Sequence, residues 1–288
     1  MTADLLDTLI DSQALRIAPP GEVFWYTSGT LGPYYVNTHY LFGGPDAAEE
    51  LLTFIDSDSR AVDFHAQLSE RISLRLDSDA AFRRVIDALV AAVRARPGAG
   101  DLDWISGGER RDWFFSLPVA MRMDLPHLYV YKDGGTFLPD GGAGLKAVDD
   151  LSGRRTAHIT DLVTEASSYA GVWIPSIRDR GGEMLISANV IDRAQGGMDV
   201  IDRAGVDALA LLRVDAELFG DLLQRKMIDA QQHAVLLDYF GDPTGAMKRF
   251  LEATPDFLDG ALASADERTA KRARMLVDND PYSLGLSG

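Results

Sequence analysis

The sequence contains no cysteine. That excludes a disulfide framework, a thiol nucleophile and any zinc site built on thiolates. Long hydrophobic runs are also missing: no stretch reaches the roughly 18 apolar residues that a spanning helix needs, so no membrane segment is expected. The leading segment MTADLLDTLIDSQAL is acidic and amphipathic, where a signal peptide would start with a basic run, and the cytoplasm is the expected location. Positive charge is scarce, with 28 Lys and Arg against 44 Asp and Glu and a formal net charge of −16. Nucleic-acid affinity depends on cations that neutralise phosphates, so a DNA or RNA partner is not expected. A small anion stays open as a ligand, because a pocket needs only a few local cations. The histidines His39, His65, His127, His158 and His233 show no helical i, i+4 pairing, which argues against a metal held by the protein.

What is present is ordinary for a globular chain: 288 residues, 46% apolar and 25% charged, enough for one large domain or one domain with an extension. Leu5, Leu6, Leu9, Ile10 and Leu15 recur at helical spacing before the APPG stop. EVFWYTSGTLGPYYVNTHYLF reads as two strands joined by a turn at Ser28-Gly29. Residues 46–95 read as helical throughout. From DWISGGE onward, strand and helix signals alternate through LPHLYVYK, RRTAHITDLV, EMLISANVIDR and VDALALLRV, with DGGTFLPDGGAG as a flexible loop. This predicts an α/β fold with a mainly parallel sheet flanked by helices, whose ligands sit beyond the carboxyl ends of the strands. Residues 215–275 carry only helical periodicity, and NDPYSLGLSG reads as a loose tail. The expected organisation is therefore a domain over 1–214, with an N-terminal lobe (1–45) and a helical segment (46–100), followed by a helical C-terminal extension over 215–288.

Three stretches, in this order, are FWYTSGTLGPYYVNT, ISGGERRDWFFSLPVAMRMDLPHLYVYKD and LSGRRTAHITDLVTEASS, the last followed by ISANVIDRAQGG. Together, over about residues 5–215, they resemble the orotate phosphoribosyltransferase family of type I phosphoribosyltransferases. The resemblance implies that fold, transfer of a phosphoribosyl group from phosphoribosyl pyrophosphate (PRPP) to a pyrimidine-like base, and Mg²⁺ arriving with the substrate. It also implies a homodimer whose mobile loop reaches the neighbouring subunit, or a mixed dimer with a complete paralogue. By position, it gives the sugar-phosphate loop to Thr160, Asp161, Thr164, Ala166, Ser167 and Ser168. Pyrophosphate falls to Lys132, with Lys132 and Asp161 as the catalytic pair, and the base to Arg193, Tyr34 and Tyr35.

The chain departs from the family pattern at several of these positions. Thr160 stands where the first acid of the loop belongs, Ala166 where the glycine belongs, and Glu165 intrudes beside the phosphate, a repulsion of roughly a few kcal/mol in a poorly solvated loop. Ala166 matters if the loop needs positive φ there. Tyr131, Gly135 and Phe137 replace the cations of the mobile loop, with Lys146 at its far end, and Thr27 replaces a lysine.

Plainer readings of the same residues stay open. Asp161 fits a strand-end acid that caps a helix, and Thr164, Ser167 and Ser168 fit any helix N-terminus. Arg193 fits a surface pair with Asp192, and Lys132 a solvated loop lysine. The acids of AVDD (147–150) lead into a turn and read as a decoy. Trp113, Phe114 and Phe115 read as core, and Gly107-Gly108 lacks the further glycines of a dinucleotide fingerprint. Two functions therefore remain: an enzyme, or a catalytically impaired member of the fold that binds nucleotide or sugar phosphate as a regulatory or partner subunit.

Overall fold

The computed structural model describes residues 2–285. In chain order the elements are α1 (Thr2–Asp11), β1 (Leu15–Ile17), β2 (Phe24–Trp25), β3 (Leu31–Gly32), β4 (Tyr34–Val36), α2 (Pro45–Asp58), α3 (Phe64–Ser78), α4 (Ala80–Arg94), β5 (Trp104–Gly108), α5 (Trp113–Met123), β6 (His127–Val130), β7 (Thr136–Pro139) and β8 (Leu145–Ala147). Then follow β9 (Arg155–Val163), α6 (Ile174–Arg178), β10 (Glu183–Asp192), α7 (Gly197–Arg203), β11 (Asp207–Arg213), α8 (Ala216–Gln224), α9 (Ala230–Gly241), α10 (Pro243–Ala253), α11 (Asp256–Leu262) and α12 (Glu267–Asn279). Among the described residues, no helix is long and apolar enough to cross a membrane.

The chain packs as two units. One takes residues up to Ala14 together with Asn37–Val214; the other takes Leu15–Val36 together with the chain from Asp215 onward. Residues 15–36, expected with the first domain, thus belong with the C-terminal helices. Short two- and three-residue strands cannot bury a face alone, and sequence periodicity does not say which helices cover them.

The first unit is built on a seven-stranded sheet of order β11-β10-β9-β5-β6-β7-β8. Its strands from β11 to β6 are parallel, and β7 and β8 are antiparallel. The central strand β9 is buried from Thr156 to Asp161 on both faces, the signature of a parallel strand covered by helices on each side. Helix α4 starts where the Asp79 carboxylate accepts the N–H groups of Ala81 and Phe82, a cap worth about 1 kcal/mol. Trp113, Phe114 and Phe115 are fully buried, and the Trp113 indole donates to the Gly107 carbonyl at 3.0 Å. The segment expected as a flexible loop is instead the β7–β8 hairpin, paired with β6 through Tyr129↔Phe137 and Val130↔Thr136. Alternate residues Thr136 and Leu138 and the glycine turn supply strand and hairpin chemistry that a reading for glycine content alone passes over.

In the second unit β2 pairs with β3 across the Ser28-Gly29 turn, and β1 with β4. Gly29 has φ +82°, and a Cβ there would lie 2.7 Å from the Met275 Cβ, so glycine is required twice over. Leu31, Met247, Leu251, Leu276 and Tyr282 form the core of this unit. The Tyr282 hydroxyl accepts the Leu31 N–H at 2.7 Å, which ties down the stretch expected as a loose tail; residues 286–288 of that stretch lie outside the described residues.

Candidate active site

Strands β5, β6 and β9 run parallel, so their carboxyl ends, Gly108, Val130 and Val163, lie at one edge of the sheet. Ligands of open α/β sheets bind at such edges. There a cavity of about 260 Å³ is lined by Glu109, Arg110, Arg111, Asp112, Lys132, Asp161, Leu162, Thr164, Ser168 and Trp173.

The turn from β5 to α5 builds one wall. Gly107 and Gly108 owe their identity to close approach: a Cβ on Gly107 would meet Ser116 Oγ at 2.1 Å, and one on Gly108 would fall 2.3 Å from the Trp173 indole. The turn is fixed to the end of β6, since the Glu109 N–H donates to the Val130 carbonyl at 2.8 Å and the Glu109 carboxylate accepts the Lys132 N–H at 3.0 Å. Asp112, 4% exposed, bridges two walls. One carboxylate oxygen accepts the Gly108 N–H and the other the Asp161 N–H, both at 3.1 Å.

Burial pushes the Asp112 carboxyl well above the usual range, and the neighbouring Asp161 carboxyl adds to the rise. Burial raises Asp161 as well, but the Arg111 guanidinium pulls the other way. Like charges this close do not both ionise in a site with little water. Both carboxyls are therefore raised, with Asp112 the more deeply buried of the two and Arg111 opposing the rise only at Asp161. The positive potential of the turn is felt further off: burial first, then Arg111 and Arg110, lower His39 to about 3. Arg110 is itself paired with Asp56.

The second wall follows β9. Thr164 and Ser168 line the cavity; between them Ala166 adopts φ +58°, the left-handed conformation that costs an L-residue about 1–2 kcal/mol. The position thus demands what glycine gives freely. Helical turns begin at Ser167 and run through a wide turn at Tyr169–Trp173 into α6. Trp173 packs its ring against His158 and Tyr169, each at 4.9 Å between centroids.

Of the residues proposed from sequence, the cavity brings together Lys132, Asp161, Thr164 and Ser168. It does not take in the others. Thr160 is fully buried, and its hydroxyl donates to the Asn189 side chain, which also accepts from the Tyr169 hydroxyl at 2.8 Å. On a strand, neighbours point to opposite faces, so Asp161 can face the cavity only if Thr160 faces the core. Ala166 and Ser167 are outside the lining, one buried and one exposed. Arg193 follows β10, where its N–H donates to the Val163 carbonyl at 2.9 Å. The acid beside it, Asp192, pairs with Arg213 at 3.6 Å. Tyr34 and Tyr35 belong to the second unit. Tyr34 is 3% exposed and packs on Phe219 and Tyr239, so its ring is committed to core packing rather than open to a base.

Glu165 is exposed and absent from the lining, and water reduces its repulsion to about 1 kcal/mol or less. Tyr131 is buried, with the Arg60 guanidinium 3.6 Å above its ring and 5.0 Å from that of Phe137. Lys146 lies on β8, the outermost strand.

Sequence reasoning passed over Glu109, Arg110, Arg111, Asp112 and Trp173. A signal was present: GGERRD puts four charged residues in a short turn between a strand and an apolar helix, on the ligand side of the sheet. Among the described residues, no group of three or more His, Asp or Glu is placed to hold a metal ion.

No family model matches the chain. Among curated proteins, it is 29% identical over 101 residues to an orotate phosphoribosyltransferase of Caulobacter vibrioides, a match covering 35% of this chain and 47% of that one. It is 24% identical over 162 residues to the orotate phosphoribosyltransferase of Methanopyrus kandleri, covering 56% and 80%. The match thus spans about half of the first relative and most of the second. Among solved structures, the UMP synthase of Leishmania donovani superposes with a TM-score of 0.57 at 18% identity, over 83% of this chain and 42% of that one. With the sheet topology in agreement, the chain has the fold of the type I phosphoribosyltransferases, and its sequence is similar to orotate phosphoribosyltransferases.

Proposed function

We propose that the protein transfers a phosphoribosyl group from PRPP to a pyrimidine-like base, orotate by resemblance to the relatives. The observation that carries this is the cavity that joins one carboxyl side chain, Asp161, to Arg110, Arg111 and Lys132 beside two hydroxyl side chains. Fold alone does not give function; this donor set is what the substrate's chemistry calls for. In the reaction, a ring nitrogen of the base forms a bond to C1 of the ribose while the bond from C1 to the pyrophosphate oxygen breaks. Pyrophosphate leaves with the electron pair, and the proton of the nitrogen passes to water.

Asp161 accepts hydrogen bonds from the ribose hydroxyls, and Thr164 and Ser168 donate to the 5′-phosphate. Arg111, Arg110 and Lys132 stabilise the charge that grows on the departing pyrophosphate, the kind of fixed electrostatic contact worth 10²–10³ in rate per donor. Asp112 does not touch substrate in this scheme: it positions the Asp161 backbone against the β5–α5 turn. Magnesium would arrive as part of the substrate, a hard cation that pyrophosphate oxygens and water can satisfy, while Asp161 serves the sugar.

One observation favours the second reading, a binding or partner subunit. Where relatives are expected to carry a mobile cationic loop, this chain has the β7–β8 hairpin with Tyr131 buried at its root. The experiment is nucleotide formation from Mg²⁺-PRPP with orotate and with uracil, run beside calorimetry of PRPP binding. Nucleotide is expected. Tight binding without a single turnover replaces the enzyme by the second reading, and neither binding nor turnover removes both.

A further inference from the structure

A second cavity, of about 230 Å³, opens between α2 and α3 and is lined by Phe42, Glu50, Leu51, Arg71, Arg75 and Ser78, with Ala47 and Leu74 at its edge. None of these residues lines the candidate active site. We propose that it binds a small organic anion, a phosphate or carboxylate head on a short apolar body, gripped by Arg75 and Arg71.

Arg75 is the reason. Its guanidinium lies 5.1 Å from the Phe42 ring centroid, and a Cβ on Gly43 would fall 2.4 Å from its Nη1. The group is thus held flat between a ring and bare backbone. Yet its Nε is buried without a hydrogen-bond partner, and among the described residues no carboxylate pairs with it. A buried unsatisfied donor is costly, and more so on a charged group; a planar fork held in place without an acceptor is what an oxyanion satisfies in bidentate fashion.

Arg71 is stacked likewise, 4.4 Å over Phe54. Its acidic partner among the described residues, Glu50, is 3.7 Å away and 77% exposed, a loose pair that an entering anion can displace. The Ser78 hydroxyl donates to the Leu74 carbonyl at 2.7 Å, so it offers the cavity a lone pair rather than a proton. Phe42, Leu51 and Leu74 line the cavity with apolar atoms, suited to a short hydrocarbon body. The volume holds a molecule of a few heavy atoms and excludes a folded partner.

The test uses the ¹⁵N-labelled full chain, with the arginine Nε–H resonances followed by NMR during titration with inorganic phosphate and, separately, with isobutyrate. The Arg75 Nε–H is expected to shift along a saturating curve with at least one probe. Phosphate alone assigns a phosphate head, isobutyrate alone a carboxylate, and both assign either. Arg111→Met is expected to leave this curve unchanged within about twofold, because phosphate at the active site is a separate event. Arg75→Lys, read at the Arg71 Nε–H, is expected to weaken binding about tenfold, the worth of one charge-assisted hydrogen bond. Leu74 is 63% exposed and tolerates change, so Leu74→Glu gives a second, folded variant with a like charge at the mouth and the same expected loss. No saturating shift at Arg75 with either probe, or binding of undiminished strength in both variants, overturns the proposal.

Discussion

The β5–α5 turn and the β7–β8 hairpin flank the same strand, β6, and have exchanged the roles expected of them. The hairpin, where the family resemblance places mobile cations, is strand-paired and aromatic: Tyr131 is buried and its hydroxyl donates to the Ser59 carbonyl, with Arg60 stacked on the ring and paired to Asp133 at 2.7 Å. The turn, where no special charge was expected, brings Arg110 and Arg111 to the cavity. Cationic charge is therefore not missing from this site. It sits on a short, hydrogen-bonded turn rather than on a loop that must close, and a group fixed in advance needs no reorganisation when charge develops.

The comparison can be broken most directly at Tyr131. Tyr131→Ala removes a buried ring and is expected to cost about 3–5 kcal/mol of stability, read by urea denaturation, with PRPP affinity of the folded fraction changed by less than about twofold. Loss of affinity at unchanged stability would return the hairpin to the binding machinery. Next in size, Arg111→Met is expected to lower kcat/KM by about 10²–10³, against less than twofold for Lys146→Met. Equal effects of the two would erase the distinction between turn and hairpin.

The Asp112 bridge gives a smaller, pH-dependent effect. A carboxyl whose folded pKa is raised keeps its proton after the unfolded chain has lost it, so its contribution falls as pH rises from the unfolded value of 3.8 through the raised folded value, by at most about 1.4 kcal/mol per pH unit. Asp112→Asn mimics the protonated acid. Relative to the wild type, it should gain stability between pH 5 and 8 in urea melts; parallel profiles would mean that Asp112 is ionised. Smallest is Ala166→Gly. It relieves a positive φ worth about 1–2 kcal/mol but forfeits a buried methyl worth about 0.8 kcal/mol, so a net gain below about 1 kcal/mol is expected in thermal melts. A clear loss would show that packing, not backbone, fixes that residue.

Much of this arrangement was legible in the residues. Asp161 and Ser168, which line the cavity, were singled out in the run HITDLVTEASSY because a strand ending in an acid and then hydroxyls is a local pattern. Ala166 was recognised as a question about φ, and φ +58° answers it. Thr160 was misread for a plain reason: its role depends on which face of β9 is the core, and a strand buried on both faces gives no alternation to read. Arg110 and Arg111 escaped because a charged turn looks like any solvated turn until the strand ends beside it are known.

By itself the sequence determined the alternation of strands and helices, the parallel sheet and the strand-end acid, since period and turn chemistry act over a few residues. Only the tertiary structure decided that residues 15–36 pack with the C-terminal helices, that the glycine-rich segment closes into a hairpin, and that Asp112 ties Gly108 to Asp161. Each of those joins residues distant in the chain through packing or a hydrogen bond, and no local preference records which distant partner a side chain will meet.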